Sequence, residues 1–441
     1  MEGEKRTVSR REMIKTSATA AATATMVGGL EQLLNAAETP PKSAKDIQFA
    51  IIGTGHQGRI DMGFAKQAGC KFVAVADIVD ANRKNGLEMA EKGARGYKDY
   101  REMLEKEKDI DAVVVTVPPK LHAEVSITAS DAGKHVFCEK MMALTTDDCR
   151  AMIKAAEKAG KLLQIGHQRR YNIFYHHALQ LIKQGTIGKI THVWAVWNRN
   201  DSWRRPVPKI DFDPRPHGWY DLEHLVNWRL YKESSLGLLS ELTSHQMDAI
   251  DWFLGARPLT VTGFAGLDYW KAEVAKDKRD IWDNVNLVYE YPNGVKVMAQ
   301  SIMTNAHEGY YEKYLGTGGT IILSRESDAM MFREAGAKKM DWEALAHQEK
   351  TADGKAKILL SAYMTPPKEP GVSIGADDAK SPTKKTPYQV EFESFLKSIE
   401  TGDKPFCDGE VGFHSAAAMI RTTEALEKRV IYSYTDDDWK V

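Results

Sequence analysis

The chain has 441 residues, a length that predicts two or three domains at roughly 150 residues each. Lysine and arginine total 60, and aspartate and glutamate total 61. This balance excludes the strongly basic surface of a general nucleic-acid binder or of a polybasic membrane-surface protein. No run of about 18 or more apolar residues is present, so the sequence predicts neither a membrane-spanning helix nor a membrane anchor.

The first residues have the layout of an export signal. Ser9-Arg10-Arg11-Glu12-Met13-Ile14-Lys15 precedes an Ala/Thr-rich stretch, and small residues follow at Ala36-Ala37. This pattern predicts a twin-arginine (Tat) signal peptide over 1–37, a linker over 38–45, and a periplasmic or secreted protein that the Tat machinery exports folded. A disordered basic tail that only imitates a signal is the alternative.

A short apolar strand, 47–52, leads into the turn Gly53-Thr54-Gly55-His56-Gln57-Gly58, and a predicted helix follows through Gln67. In a dinucleotide-binding turn the first glycine permits the sharp bend, the second lets the backbone approach a pyrophosphate, and the third allows close packing of helix on strand. The pyrophosphate then lies at the positive end of the helix dipole.

A second apolar strand, 72–76, ends at Asp77, which is 77 − 58 = 19 residues beyond the last glycine of the turn. An acidic residue about 20 residues on is the expected partner of the adenosine ribose. A carboxylate there would repel the 2′-phosphate of NADP, so the sequence favours NAD over NADP. Arg83 and Lys84 lie close enough in sequence to keep NADP open, and a plain helix-capping role for Asp77 is the alternative.

Strands and helices continue to alternate as far as Ile165. Further strands are expected at 112–117, 135–138 and 162–165, with helices at 121–132 and 146–159. The pattern predicts an α/β dinucleotide-binding (Rossmann) domain over 46–165, a doubly wound parallel sheet with its ligand at the carboxyl ends of the strands.

Beyond a predicted helix at 174–184 the pattern changes to strands. They are expected at 190–197, 259–264, 284–291, 295–302 and 320–323, with a hairpin turn at Tyr291-Pro292-Asn293-Gly294. The remainder, 166–441, is therefore predicted to be an α+β domain with an open, mostly antiparallel sheet. The polar region 324–386 is expected to form long surface loops.

Glu241 and His245 stand four residues apart at the start of a predicted amphipathic helix, so they are expected to share one helix face. A carboxylate beside an imidazole fixes its tautomer and raises its basicity. The pair is therefore a candidate for acid–base catalysis. The alternative is a structural histidine satisfied by its neighbour.

Aromatic and basic residues interleave between Trp194 and Tyr231. The tryptophans are Trp194, Trp197, Trp203, Trp219 and Trp228, and the arginines are Arg199, Arg204, Arg205 and Arg215. Such rings suit the faces of sugars, and arginines suit an acidic substrate group, although core packing or an oligomer interface explains the cluster equally well. His176-His177 and the spacing of His217 and His224 lack an accompanying carboxylate–histidine motif, so no metal site is predicted.

Several motifs together resemble one enzyme family. They are 53–58, the strand ending at Asp77, Thr116 to His122, Cys138-Glu139-Lys140, Gly166 to Tyr171, Glu241 to His245, and Lys428 to Ile431. In order and spacing they resemble the Gfo/Idh/MocA family, named for glucose–fructose oxidoreductase, inositol dehydrogenase and a rhizopine-catabolism protein. The resemblance covers nearly everything after the predicted signal.

The resemblance implies a nucleotide-binding domain followed by an open sheet whose face forms a sugar or cyclitol pocket, in a homo-oligomer, a dimer or a tetramer. It places Thr116, Pro118, His122, Glu139 and Lys140 at the cofactor. It makes Lys140, His245 and Glu241 catalytic, with Glu241 where the family usually has aspartate. His167, Arg169, Arg170, Tyr171 and Trp203 become candidate substrate contacts.

One position departs from the family pattern. The family's Glu-Lys-Pro motif falls on Glu139-Lys140-Met141, and a cis bond before a residue other than proline costs about 2.5–4 kcal/mol. We therefore expect a trans bond before Met141 and a slightly displaced Lys140.

The sequence thus favours an exported NAD-dependent oxidoreductase of sugars, cyclitols or their derivatives, with tightly bound cofactor that is recycled in place. Two alternatives remain. One is an NAD-assisted glycosidase or lyase that works by transient oxidation and elimination, for which Lys140, His245 and Tyr171 would serve. The other is a non-catalytic sugar-binding protein of the same fold, because fold alone does not establish function.

Overall fold

The computed structural model describes residues 47–337, 348–350, 356–360 and 385–441. The predicted signal peptide over 1–37 and the predicted linker over 38–45 lie outside these ranges. Within them, no helix is both long and apolar enough to cross a membrane.

The first part of the chain forms a six-stranded parallel sheet with helices between its strands. The strands are β1 Gln48–Ile52, β2 Lys71–Ala76, β3 Arg95–Tyr97, β4 Ala112–Val115, β5 His135–Glu139 and β6 Leu163–Gly166. The intervening helices are α1 His56–Gln67, α2 Asp80–Met89, α3 Tyr100–Lys106, α4 His122–Asp131 and α5 Thr146–Ala159. The predicted doubly wound parallel sheet is confirmed.

The strand order is β3-β2-β1-β4-β5-β6, so the order reverses between β1 and β4. In open parallel sheets, ligands bind at the carboxyl ends of the strands beside such a switch point. All four residues of β4 are buried, which explains the unbroken apolar sequence of that strand. The fold therefore places the glycine turn after β1 next to the loops that follow β4 and β5.

The second sheet has ten described strands. They are β7 Ile190–Asn198, β8 Thr260–Gly266, β9 Asn284–Glu290, β10 Lys296–Ile302, β11 Tyr310–Gly316, β12 Gly319–Ser324, β13 Asp328–Arg333, β14 Gln348–Lys350, β15 Ala356–Leu359 and β16 Tyr432–Ser433. All neighbouring pairs run antiparallel except β7 and β10, which are parallel. The predicted, mostly antiparallel second sheet is confirmed.

The hairpin between β9 and β10 is also confirmed, because Asn293 and Gly294 adopt the left-handed conformation at φ 63° and φ 78° that such turns require.

The expectation that 324–386 forms surface loops is wrong for its described part. β13, β14 and β15 lie there, and Ala329 and Met331 of β13 alternate into the core. Buried alternation stabilises this short strand although the surrounding sequence is polar.

The remaining helices are α6 Ile173–Lys183, α7 Leu222–Val226, α8 Ser244–Leu254, α9 Ala272–Ala275, α10 Pro387–Thr401, α11 Gly409–Lys428 and α12 Asp436–Trp439. α10 returns to the first sheet. Its Phe392 and Phe395 lie 4.4 and 5.9 Å from the Phe137 ring of β5, and all three rings are buried. The C-terminal segment thus completes the core beneath the parallel sheet.

Candidate active site

The glycine turn after β1 has two packed glycines and one open glycine. Gly53 has φ +95°, and a Cβ at Gly58 would lie 2.0 Å from the Gly53 carbonyl oxygen, so neither position accepts a side chain. A Cβ at Gly55 would meet nothing within 4 Å. The turn therefore has the form that a pyrophosphate needs, with tight packing behind it and free space at its second glycine.

Asp77, directly after β2, contacts this turn through its carboxylate. One carboxylate oxygen accepts the Thr54 N–H at 2.8 Å, and the other accepts the Val79 N–H at 2.8 Å. Burial raises the pKa of Asp77, although these backbone donors oppose the shift. The carboxylate is thus fixed beside the glycine turn, where the predicted ribose partner belongs.

Arg83, which the sequence left open as a partner for a 2′-phosphate, is already engaged. Its guanidinium donates to the Asp77 carbonyl at 2.9 Å and to the Asp80 carboxylate at 2.7 Å. Arg83 is therefore held by Asp77 and Asp80, and the Asp77 carboxylate lies at the predicted ribose site.

The side chains of α1's first turn face other protein groups. Gln57 donates its amide to Asp61 at 2.8 Å, and Arg59 donates to the Thr54 carbonyl at 2.8 Å. Burial lowers the pKa of His56, and the nearby cations of Arg205, Arg59 and Arg229 lower it further. His56 is therefore neutral at pH 7. Because the side chains of Gln57 and Arg59 are engaged, a ligand at this turn would contact mainly backbone N–H groups.

Three predicted cofactor residues, Thr116, Pro118 and His122, follow β4. The Thr116 hydroxyl donates to the Gly53 carbonyl, and Pro118 precedes a short 3₁₀ turn. His122 is buried, with Nε2 2.7 Å from the Val117 carbonyl oxygen and Nδ1 2.9 Å from the Met141 carbonyl oxygen. Both ring nitrogens are thus engaged, and His122 ties the loop after β4 to the loop after β5.

The expectation of a trans bond before Met141 is wrong, because the Lys140–Met141 peptide is cis. Met141 is fully buried and its carbonyl is held by His122, so the surrounding contacts fix the bond without a proline ring. The Lys140 N–H donates to the Glu139 carboxylate at 2.9 Å. The predicted motif residues Glu139 and Lys140 therefore lie together at the carboxyl end of β5.

Lys140 reaches across to the second part of the chain. Its Nζ donates to the Glu241 carbonyl at 3.0 Å and to the Ser240 carbonyl at 3.4 Å. These carbonyls belong to a π-helical turn, Leu239–Thr243, that directly precedes α8. Such turns occur often at functional sites because they displace backbone groups from the α-helical ladder.

The π turn changes the relation between Glu241 and His245. Glu241 lies in the π turn and His245 in the following α-helix, and among the described residues no hydrogen bond joins these two side chains. The Glu241 carboxylate instead accepts from Arg229 Nε at 3.0 Å and from the Ser240 hydroxyl at 3.3 Å. The expected orientation of the imidazole by Glu241 is therefore wrong, while both residues remain in one buried site.

The charges of this site are strongly coupled. Burial opposes ionisation of Glu241, but Lys140 and Arg229 hold its pKa below the ordinary value. Burial lowers the pKa of Lys140, although Glu241 and Glu139 oppose the shift. Burial also raises the pKa of Glu139 to about 7. At neutral pH the site thus contains an ionised Glu241 and a lysine that releases its proton more easily than a surface lysine does.

His245 is buried, with 8% of its surface exposed. Its pKa lies well below the ordinary value, first because of burial and then because of the cations of Lys140 and Arg169. No residue in the described part of the chain forms a hydrogen bond with its ring. His245 is therefore a neutral imidazole with a free nitrogen, which is the form that accepts a proton.

Two of the predicted substrate contacts serve the protein's own packing. Arg169 is 1% exposed and pairs with Glu312 and Glu326. The Tyr171 hydroxyl accepts the Cys407 N–H at 3.2 Å, and its ring packs edge-on against Phe406. These side chains join the start of α6 to the second sheet and to the C-terminal segment.

His167 and Arg170 face the buried Asp248 of α8. Arg170 holds Asp248 through both carboxylate oxygens at 2.9 Å, and burial lowers the pKa of His167 to about 4. Arg170 and Asp248 also line a cavity of about 520 Å³ whose walls contain neither Lys140 nor His245. The segment 167–171 thus packs behind the site, with His167 close enough to His245 to lower its pKa.

The tryptophans of the aromatic cluster are divided among several surroundings. Trp219 is buried, with Lys120 Nζ 3.5 Å from its ring centre, and Trp194 is 36% exposed on the outer face of the second sheet. Trp203 is half-buried and packs against a small core of Leu230, Tyr231 and Ile281. Of the cluster, Trp197 approaches the catalytic candidates, at 5.8 Å from the His245 ring.

Arg229 is the site residue that sequence reasoning missed. It pairs with Glu241 and lies over the Trp228 ring at 4.1 Å. In the sequence, the only indication of a role for Arg229 is that the alternation of arginine with aromatic residues extends to this position. Among the described residues, no group of three or more metal-binding side chains is placed to hold an ion.

Residues 47–167 match the family model described as the oxidoreductase family, NAD-binding Rossmann fold, and residues 175–322 match the GFO/IDH/MocA C-terminal domain. A 1,5-anhydro-D-fructose reductase of Ensifer adhaerens is 30% identical over 326 residues, which are 72% of this chain and 78% of that protein. A 2,7-anhydro-N-acetylneuraminate hydratase of Mediterraneibacter gnavus is 28% identical over 239 residues, which are 54% of this chain and 57% of the hydratase.

The fold is shared with a solved structure of levoglucosan dehydrogenase in complex with NADH and levoglucosan. The TM-score is 0.66 at 18% identity, and the match covers 88% of this chain and 99% of the dehydrogenase. At that identity the likeness concerns the fold, whereas the two family models and the 30% identical reductase establish the family. The chain therefore belongs to the Gfo/Idh/MocA family of NAD-dependent oxidoreductases, which act on CH–OH groups.

Proposed function

We propose that this protein oxidises a CH–OH group of a sugar, a cyclitol or a related derivative, with NAD bound at the Gly53–Gly58 turn. One observation carries the proposal. Lys140, at the end of β5, reaches the π turn before α8, in the buried site that also holds the neutral imidazole of His245. β1, β4 and β5 are adjacent, so this site lies at the edge of the sheet that carries the glycine turn.

Bound NAD would accept a hydride from the substrate carbon. His245, neutral and with a free nitrogen, takes the proton of the hydroxyl group on the same carbon. Lys140 holds the substrate oxygen by a hydrogen bond, and its lowered pKa lets it pass a proton. Glu241, paired with Arg229, also balances the positive charge of a protonated Lys140.

A His245→Ala variant tests these roles. We expect it to bind NAD as the wild type does, because His245 is on α8 and not in the glycine turn, and to lose about 100-fold or more in kcat. A Lys140→Met variant should lose both turnover and part of the substrate affinity. Full activity in the His245→Ala variant would overturn the assignment of the base.

We also propose that NAD is preferred to NADP. The support is the Asp77 carboxylate fixed by Thr54 and Val79 and the engagement of Arg83 by Asp80. Calorimetric titration with both cofactors is the test. The proposal requires tighter binding of NAD, and equal affinities would contradict it.

We propose export through the Tat pathway and a periplasmic or secreted location, from the motif Ser9 to Lys15. No free pool of NAD is expected outside the cytoplasm, so the cofactor must be exported bound and be recycled within one catalytic cycle or by a second substrate. Fractionation of cells that express the wild type and an Arg10→Lys, Arg11→Lys variant tests the location. Mass spectrometry of nucleotide released on denaturation tests the retention.

A homo-oligomer, a dimer or a tetramer, is proposed to form through the open face of the second sheet. Trp194, Met298 and Val288 lie side by side across β7, β10 and β9 on that face, with 36, 40 and 44% of their surfaces exposed. An adjoining row of exposed apolar side chains favours self-association. Light scattering of the wild type and of a Met298→Glu variant would show whether the charge dissociates the assembly.

The second candidate is a redox-neutral elimination or hydration, and the name of the hydratase relative favours it. Transient oxidation of one carbon, with its hydride passed to bound NAD, would acidify the neighbouring C–H bond. His245 or Lys140 would remove that proton as the leaving group departs, and the hydride would then return to the oxidised carbon. Tyr171 is excluded from this role because its hydroxyl is engaged with Cys407. Release of a leaving group without net formation of NADH would favour this candidate over net oxidation.

A further inference from the structure

The arginines that follow β7 differ in whether a carboxylate neutralises them. Arg204 pairs with Glu223, Arg215 pairs with Asp213 at 2.8 Å, and Arg229 pairs with Glu241 at 3.0 Å. Within the described ranges, no carboxylate lies at ion-pair distance from Arg199 or Arg205. Two cations of the same segment therefore lack an ion pair among the described residues.

Both unpaired arginines are fixed next to the candidate active site. The Arg205 N–H donates to the Asn227 side chain at 2.6 Å, and the Asn227 amide donates back to the Arg205 carbonyl at 3.0 Å. This double contact holds Arg205 close to Arg229, the partner of Glu241.

Arg199 is anchored directly after β7. Its N–H donates to the Ile302 carbonyl at 2.9 Å, directly after β7, the strand that carries Trp197 beside His245. Its guanidinium lies 5.6 Å from the ring centre of Trp203. Both arginines lie close enough to Arg229 for its charge to act on them.

The electrostatics of this group favour an anion. Burial lowers the pKa of Arg205 and of Arg199, and Arg229 lowers both further. Asp201, which is exposed and accepts the Trp203 N–H at 2.9 Å, opposes the shift at both arginines, and Glu241, already paired with Arg229, opposes it at Arg205. One ion-paired carboxylate, Glu241 on Arg229, accompanies three guanidinium groups in this partly desolvated region, which favours a further anion.

We propose that Arg199 and Arg205 bind an anionic group of the substrate, so that the preferred substrate is a sugar acid that carries a carboxylate rather than a neutral sugar. The planar guanidinium fits a carboxylate through two parallel hydrogen bonds. This inference rests on the proposed oxidation of a sugar and adds its chemical class. The cofactor pyrophosphate is the other anion within reach, because Arg205 and Arg229 also influence His56 of the glycine turn.

The experiment compares matched acid and neutral probes on the full-length protein loaded with NAD. D-glucuronate is paired with D-glucose, D-galacturonate with D-galactose, and D-mannuronate with D-mannose, and the dissociation constants come from tryptophan fluorescence. The variants are Arg199→Ala and Arg205→Ala. Arg215→Ala is the control, because that arginine is exposed and already paired with Asp213. Calorimetry gives the affinity of each variant for NAD.

We expect at least one acid to bind about tenfold or more tightly than its neutral partner, because a charge-assisted hydrogen bond is stronger than a neutral one. Arg199→Ala and Arg205→Ala should remove this preference, while Arg215→Ala keeps it and all three variants retain wild-type affinity for NAD. Added salt should weaken the binding of the acid and leave the binding of the neutral sugar unchanged.

Three results would overturn the inference. Equal binding of acids and neutral sugars by the wild type would show that no anion site serves the substrate. A fall in NAD affinity in the arginine variants with no change in sugar preference would assign the two arginines to the cofactor. An equal loss of the preference for acids in the Arg215→Ala control would show that general surface charge, and not a specific site, causes that preference. Failure of the proposed function has a different signature, which is that NAD binds but no sugar of either kind binds or is oxidised.

Discussion

Replacing Gly55 with alanine separates cofactor binding from folding. The new Cβ meets no atom within 4 Å, and the φ of −62° suits any residue. Gly55 is the N-cap of α1, where alanine is disfavoured by a few tenths to about 1 kcal/mol. The lower entropy of the unfolded alanine chain offsets about 0.4–1 kcal/mol of that loss. The free energy of unfolding should therefore change by less than about 1 kcal/mol.

Cofactor binding should respond much more strongly. The methyl group would occupy the space through which the pyrophosphate reaches the backbone N–H groups at the start of α1. Loss of one or two charge-assisted hydrogen bonds, each about 1.5–3 kcal/mol, corresponds to an affinity for NAD that is about tenfold to about 20,000-fold weaker.

Calorimetry with NAD measures the affinity, and urea unfolding measures the stability. Gly58→Ala is the matched control, because its Cβ would lie 2.0 Å from the Gly53 carbonyl oxygen and should destabilise the fold by about 1–3 kcal/mol or more. Wild-type affinity for NAD in a folded Gly55→Ala variant would refute the placement of the pyrophosphate at this turn.

Three further predictions concern buried groups. Asp248→Asn leaves the Arg170 guanidinium without its carboxylate and should destabilise the protein by about 3–5 kcal/mol in urea unfolding; a change within experimental error would contradict the pairing. The folded pKa of Glu139, about 7, lies above its ordinary 4.5, so this group lowers stability as the pH rises from about 4.5 to 7. Glu139→Gln should remove that part of the pH dependence, on the order of 3 kcal/mol, and an unchanged pH profile of unfolding would count against it. Phe392→Ala, which removes a ring packed on Phe137, should cost about 3–5 kcal/mol, and a smaller loss in a Phe392→Leu variant is the internal check.

The nucleotide-binding half was predictable because its signals are local. The glycine spacing indicates that Gly53 and Gly58 pack closely within one turn, and Asp77 follows a strand whose apolar run is unbroken. The unbroken apolar run of β4 likewise reports burial on both faces. These features depend on the identity of each residue and of its near neighbours, which a sequence displays directly.

The second half contains features that depend on distant contacts. The π turn at Leu239–Thr243 has no periodic pattern of its own, so Glu241 and His245 were assigned to one α-helical face. β11 was missed because its buried Glu312 interrupts the apolar alternation. That charge is tolerated only because Arg169, more than 140 residues earlier, pairs with it.

The cis bond before Met141 and the return of α10 to the first sheet have the same origin. Met141 is held by burial and by His122, and α10 is held by the aromatic core around Phe137. Neither contact has a pattern in the neighbouring sequence that would predict it, because both depend on the assembled tertiary structure.

The most direct test of the account is a single-turnover reaction of the NAD-loaded protein with the panel of sugars and sugar acids. The account predicts that at least one of them reduces the bound cofactor, seen as NADH absorbance, and that His245→Ala abolishes this signal while NAD remains bound. Reduction that proceeds at the wild-type rate in His245→Ala would contradict the assignment of the site. A wild-type protein that never binds NAD would contradict the placement of the cofactor at the Gly53–Gly58 turn.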